Sequence, residues 1–258
     1  MVTPKKHLGQ HFLTDDGIAK QIVDQLSVTE QVRPVLEIGP GTGVLTKYLL
    51  KRQDLALTAL DIDKESIVYL KEHFPELGDN IVEADFLQTD LRKITDGEFA
   101  IIGNFPYNIS SQIFFRVLEY KNQITEVVGM LQKEVAERLA SPPGSRDYGI
   151  LSVLLQAYYT VEYCFTVPPH VFNPPPKVNS GVIKVLRNDV QKLDCDEVLF
   201  KRVVKQAFST RRKTLRNALK PMGLTDEFLA QPILDKRAEQ LSVQDFIGLT
   251  QQIGKTRK

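Results

Sequence analysis

The sequence predicts an α/β protein: an open, largely parallel sheet flanked by helices, followed by a small C-terminal all-helical domain. Three observations predict it. Through residue 187, short apolar runs alternate with helix-like stretches, the pattern of βα units rather than of hairpins. The runs close on Gly, Asp or Asn, so polar residues gather beyond the carboxyl ends of strands, where open sheets bind ligands. After Asn188 only helical periodicity remains.

The elements follow in order. Val35–Ile38 is an apolar run closing on Gly39-Pro40-Gly41-Thr42-Gly43, with a helical stretch from Val44 to Lys51. Leu55–Leu60 ends at Asp61, ahead of an amphipathic stretch from Lys64 to His73. Ile81–Ala84 ends at Asp85, Ala100–Gly103 ends at Asn104, and Asn108–Ser111 starts a helix. Val127–Leu131 is a fifth strand with Glu134–Ala140 helical behind it. Ser141-Pro142-Pro143-Gly144 is a surface loop by composition. A helix over Leu151–Tyr158, a strand over Val161–Val167, a rigid stretch at Asn173–Pro176 and a last strand over Val182–Leu186 complete the sheet region. The remainder reads as helices at Glu197–Phe208, Arg211–Leu219 and Val243–Ile253, with a domain boundary near residue 187.

Composition narrows the function classes. The chain has 258 residues, 42% hydrophobic and 25% charged, ordinary for a globular protein of one large and one small domain. No basic segment leads into a long apolar core, and no apolar run nears ~18 residues, so secretion and membrane spanning are not expected. Cys164 and Cys195 have no metal or redox spacing, and the four histidines are scattered; two thiols in a reducing cytosol and no metal are the expectation. The net charge of +1 conceals a segregation. Residues 188–258 carry 14 Lys/Arg against 9 Asp/Glu, which leaves a net −4 for residues 1–187. No acid lies between Val198 and Thr225, a block containing Arg211, Arg212, Lys213 and Arg216; an unmixed basic block suits a polyanion.

Two constellations carry chemistry. Asn104-Phe105-Pro106-Tyr107 places an amide, a rigid proline and an aromatic at a strand's carboxyl end. The Asn104 carbonyl oxygen and a backbone carbonyl beside Pro106 can each accept a hydrogen from an exocyclic amine, while Tyr107 stacks on its ring. Two acceptors favour a pyramidal nitrogen whose lone pair can attack, which is catalysis by positioning and electrostatics. The second constellation, Glu37–Gly43, has G-x-G-x-G rather than dinucleotide spacing. Asp61 lies 22 residues after Gly39, at the interval of a ribose-binding acid. The loop alone could serve NAD, FAD or S-adenosylmethionine. Glu37, the later acid Asp85 with Phe86, and the lack of an evident second dinucleotide half favour S-adenosylmethionine.

These motifs, with Gly9–Leu13, Leu131–Val135, Tyr148-Gly149, Val171–Val178, Arg211–Asn217 and Arg237–Ser242, occur in one order along nearly the whole chain. In them the chain closely resembles the bacterial small-subunit (16S) ribosomal RNA adenine N6,N6-dimethyltransferases. The resemblance implies a Rossmann-like S-adenosylmethionine-dependent methyltransferase sheet, with residues 1–187 catalytic and 188–258 an RNA-binding helical domain. It implies N6,N6-dimethylation of two adjacent adenines in a hairpin near the 3′ end of small-subunit RNA, and a role in subunit maturation. For the cofactor it assigns His11, Leu13, Glu37, Gly39, Gly41, Asp61, Ile62, Asp85, Phe86 and Asn104. Asn104–Tyr107 become the catalytic segment, Tyr107 and Phe172 the stacking pair for the flipped adenine. Lys5, Lys6, Arg211, Arg212, Lys213 and Arg216 would meet RNA. The partner is then a pre-30S particle, in the cytoplasm, met by a monomer. Two positions depart from the family pattern: His11, where Asn is frequent, and Asp61, where Glu is common. A backbone contact survives the first change, and a small shift lets the shorter acid reach a ribose. The alternatives are a large-subunit adenine methylase of the macrolide-resistance type, a DNA adenine methylase, and an assembly factor acting mainly by binding.

Overall fold

A computed structural model describes residues 2–210 and 212–256. The chain forms two compact units. The first contains the chain through Glu137 together with Thr160–Arg187, and the second Arg138–Tyr159 together with the chain from Asn188 onward. The sequence suggested one boundary near residue 187, with residues 138–159 on the sheet side; here these residues belong to the second unit.

The strands are β1 (Phe12–Leu13), β2 (Arg33–Ile38), β3 (Leu55–Asp61), β4 (Ile81–Glu83), β5 (Phe99–Asn104), β6 (Ile124–Gln132), β7 (Tyr159–Val167), β8 (Phe172–Asn173) and β9 (Ser180–Arg187). Seven form one sheet in the order β4-β3-β2-β5-β6-β9-β7. β4 through β6 run parallel, and β9 joins antiparallel to β6. β1 and β8 make a separate antiparallel pair, Leu13 opposite Phe172. The central strand β5 reads as an unbroken apolar run because both its faces are covered: Phe99 through Gly103 are all buried. The strand order reverses between β2 and β5, the place where open sheets leave a crevice.

The first unit's helices are α1 (Asp16–Val23), α2 (Thr46–Leu49), α3 (Lys64–His73) and α4 (Ser110–Glu119). Asp15 caps α1 by accepting from the Ile18 amide at 2.9 Å, and the helix buries Ala19, Ile22 and Val23. Asp63 caps α3 through the Glu65 amide at 3.1 Å.

Helix α5 (Lys133–Ala140) leads into the second unit, which holds α6 (Ile150–Gln156), α7 (Glu197–Ala207), α8 (Leu215–Leu219), α9 (Asp226–Leu229) and α10 (Val243–Thr256). α7 buries Phe200, Val203, Val204 and Ala207, a stripe at helical spacing. Tyr148, Phe208 and Phe246 form an aromatic chain with centroids 6.4 and 6.0 Å apart. The expected helix over Arg211–Leu219 is shorter than its periodicity suggested. Thr214 is extended (φ −66°, ψ 159°) and Leu215 donates its amide to Lys236 O at 2.8 Å, so α8 begins only at Leu215. Arg212 therefore does not share a helix face with Arg216, and Arg211 lies outside the described residues. Lys201, Arg202, Lys205, Arg212, Lys213, Arg216 and Lys220 are all exposed. No helix among the described residues is long and apolar enough to cross a membrane.

Candidate active site

At the carboxyl ends of β2, β3 and β5 the first unit opens a cleft, the place where open sheets bind ligands. It is lined by Leu8–Phe12, Gly39, Gly41, Asp61, Ile62, Asp85, Leu87 and Asn104–Ile109. The glycine loop makes the floor. Gly41 has φ +55°, and a Cβ there would stand 2.7 Å from the Phe12 ring, so only glycine lets the N-terminal segment close on the loop. Its amide donates to Asp61 Oδ2 at 3.2 Å, which ties the loop to the end of β3.

The acids differ in setting. Glu37, 1% exposed, accepts from Thr46 Oγ1 at 2.7 Å while its Oε1 has no partner. Burial pushes its carboxyl up to about 8, against the pull of the Thr46 bonds. It lies behind the loop rather than on the wall. Asp61 is also raised by burial, although the amides of Asp63 (2.9 Å) and Gly41 favour its charge. Asp85 accepts from the Leu87 amide at 2.8 Å and Gln88 Nε2 at 2.7 Å, which fixes its carboxylate at the rim. Ile62 is 51% exposed and offers the apolar face a nucleobase needs.

Asn104 ends β5 and donates its Nδ2 to His11 O at 2.8 Å. Its Oδ1 is thereby oriented as an acceptor. Phe105 is fully buried: its ring packs against Gly129, where a Cβ would approach to 2.4 Å, and lies 6.0 Å edge-on from Phe114. Its amide donates to Met130 O at 2.8 Å, and the Pro106 carbonyl accepts from Ile109 at 3.2 Å. The turn is thus held from both sides. Tyr107 is half-buried, shares a 2.5 Å hydrogen bond with Ser180 Oγ, and lies 5.4 Å from the His11 ring. Burial raises its phenol, against that bond.

Most expected residues meet here: His11, Gly39, Gly41, Asp61, Ile62, Asp85 and Asn104–Tyr107 all line the cleft. Leu13, Phe86 and Phe172 do not line it; each is buried, at 4%, 3% and 4% exposure. Leu87 takes the wall position expected of Phe86, because the chain turns at Asp85 and sends Phe86 inward. Phe172 pairs with Leu13 in the β1–β8 ladder, next to the His11 and Phe12 wall. Sequence reasoning missed Leu8, Gly9, Gln10, Phe12, Leu87, Asn108 and Ile109. The Gly9–Leu13 motif was the available signal for the N-terminal part. Of the basic residues, Lys5 is paired with Asp63, whereas Lys6 is exposed. Arg216 donates Nε to Leu229 O at 2.8 Å and pairs with Asp235 at 2.6 Å. Among the described residues no three His, Cys, Asp or Glu side chains gather as a metal set.

A glycine loop that lets the backbone close on the N-terminal segment, the cleft-lining acids Asp61 and Asp85 after successive strands, and the exposed apolar Ile62 together fit S-adenosylmethionine. The amide-proline-aromatic turn opposite them supplies acceptors for an amine. The class so defined is the S-adenosylmethionine-dependent methyltransferases. Comparison with known proteins narrows it. A family profile described as ribosomal RNA adenine dimethylase matches residues 1–255. The ribosomal RNA small subunit methyltransferase A of Cytophaga hutchinsonii is 59% identical over 249 residues, covering 96% of each chain. That of Parabacteroides distasonis is 59% identical over 97% of this chain and 94% of its own. A dimethyladenosine transferase from Plasmodium falciparum superposes with a TM-score of 0.81 at 26% identity, covering 96% of this chain and 98% of that one. The 23S rRNA methyltransferase ErmE follows at 0.67 and 25%, covering 93% of this chain and 99% of its own. The chain belongs to the ribosomal RNA adenine dimethylase family.

Proposed function

We propose that the protein dimethylates N6 of two adjacent adenines in a hairpin near the 3′ end of small-subunit ribosomal RNA. It does so on a pre-30S particle, as a monomer in the cytoplasm. The observation that carries this reading is the Asn104 amide: its Nδ2 is committed to His11 O, which leaves Oδ1 to accept from an adenine amine.

The cofactor supplies an activated methyl group on a sulfonium centre, so the protein needs no strong base. Asp61 holds the ribose, Asp85 meets the cofactor's adenine amine, and Ile62 with Leu87 flanks its ring. The Phe105 carbonyl, beside Pro106, is the second acceptor for the target amine. Tyr107, steadied by Ser180, stacks on the target base. Phe172 completes the sandwich if the β1–β8 pair shifts to expose it. The proton leaves the methylated amine to water. A base must leave its stack to reach this cleft, and a hairpin loop lowers that cost. The basic residues of the Val198–Thr225 block, with Lys6, hold RNA phosphates.

Offering unmethylated small and large ribosomal subunits side by side with methyl-labelled cofactor tests this function. Label is expected in small-subunit RNA at four methyls per particle; label in large-subunit RNA would instead favour the ErmE-like activity.

A further inference from the structure

Asp63 is 4% exposed and lies outside the cleft lining, yet more groups converge on it than helix capping requires. The cap itself needs the Glu65 amide at 3.1 Å, with Ser66 Oγ at 3.4 Å beside it. Two further donors come from far along the chain: Lys5 Nζ, and Gln10 Nε2 at 3.0 Å. Burial, the largest single influence, would raise the Asp63 carboxyl, but the bonds from Lys5, Gln10 and the Glu65 amide, with the Lys5 charge, together hold the group below its ordinary value. Lys5 and Gln10 also bind each other, the Lys5 amide donating to Gln10 Oε1 at 2.7 Å, so they meet Asp63 as one unit. On its other side, Asp63 donates its own amide to Asp61 Oδ1 at 2.9 Å.

Gln10 and its neighbours Leu8 to Phe12 form one wall of the cleft. The wall is anchored at its far end by the Asn104–His11 bond and the β1–β8 ladder. At its near end Lys5 and Gln10 tie it to Asp63. We propose that Asp63 is a positioning residue for the cofactor: it latches the Lys5–Phe12 segment over the cleft while orienting Asp61. Lys5 belongs to this latch and is not an RNA contact. The inference rests on reading the cleft as the cofactor site.

The test compares S-adenosylmethionine affinity, by calorimetry, in Lys5→Met, Lys5→Arg, Asp63→Asn and Asp61→Asn proteins, with steady-state kinetics on small subunits. Lys5→Met removes the distant charge and leaves the α3 cap whole, so it decides the matter even where Asp63→Asn fails to fold. Lys5→Met and Asp63→Asn should each weaken cofactor binding about tenfold, on the scale of outer-shell partners at other sites. The cofactor KM should rise while kcat at saturation and affinity for the ribosomal particle stay put, and Lys5→Arg should restore the wild-type KM. A folded Lys5→Met protein with wild-type cofactor affinity overturns the latch, and loss of particle affinity alone would return Lys5 to the RNA surface. Should Asp61→Asn weaken the cofactor while both latch variants do not, only the latch fails. Should Asp61→Asn also bind normally, the cofactor reading of the cleft fails with it.

Discussion

The side-chain amide of Asn104 has two ends with separate tasks. Nδ2 holds the N-terminal segment through His11 O, and the task proposed for Oδ1 is to accept from the target amine. An acceptor that gains strength as the amine pyramidalises acts on the transition state more than on binding. Asn104→Ala should therefore lower the single-turnover methylation rate by about 10²–10³ while particle affinity stays nearly unchanged. A near-normal single-turnover rate would remove the amide from the chemistry. Glu37 makes a different prediction, one of pH. Its folded-state carboxyl is raised from 4.5 to about 8, with burial as the main cause. A raised acid contributes stability that is complete below the unfolded value and is lost as pH climbs through the folded value. Urea unfolding of the cofactor-free protein should show the wild type losing stability, relative to Glu37→Gln, between about pH 5 and pH 8. Parallel pH profiles for the two proteins would show that Glu37 is ionised throughout.

At the scale of elements, the two arginines near the start of α8 have different surroundings. Arg216 anchors α8 to Leu229 and Asp235, whereas Arg212 stands exposed before the helix begins. Arg216→Gln should lower stability by about 1 kcal/mol, the worth of a hydrogen bond with a half-exposed ion pair. Arg212→Gln should leave thermal unfolding unchanged but reduce particle affinity and the salt slope by about one counterion. The reverse pattern would place the RNA surface elsewhere. Why the sequence suggested one helix for both arginines is plain: Leu215 and Leu219 have helical spacing, but nothing local announces that the Leu215 amide bonds Lys236. The strands were legible because βα packing buries both faces and demands unbroken apolar runs, as in β5. β1 and β8, of two residues each, are too short to carry a period. The sequence likewise shows that Phe86 and Phe172 are aromatic without showing which way they face. At Asp85 the turn sends Phe86 into the core, and the β1–β8 register sets Phe172 against Leu13.

For the whole molecule, charge is segregated along the chain. Net charge is −4 before residue 188 and +5 from there on, and the second unit carries the acid-free block. If RNA is met through the basic unit, as proposed, association should weaken steeply with salt while cofactor binding hardly changes. The strand-end acids Asp61 and Asp85, the amide-proline-aromatic turn and the basic block were all legible from residue types and spacing. The N-terminal wall was less so, because its residues become a site only when Asp63, Asn104 and β8 hold them. Dimethylation of adjacent adenines in small-subunit RNA leaves a chemical record on the product. Its most direct test is to incubate the protein with unmethylated small subunits and S-adenosylmethionine, then map the modified bases by mass spectrometry of nuclease fragments. The account predicts N6,N6-dimethyladenine at two neighbouring positions of a hairpin near the 3′ end, and no other modified base. Methylation stopping at a single adenine, or falling on another base or outside that hairpin, would contradict it.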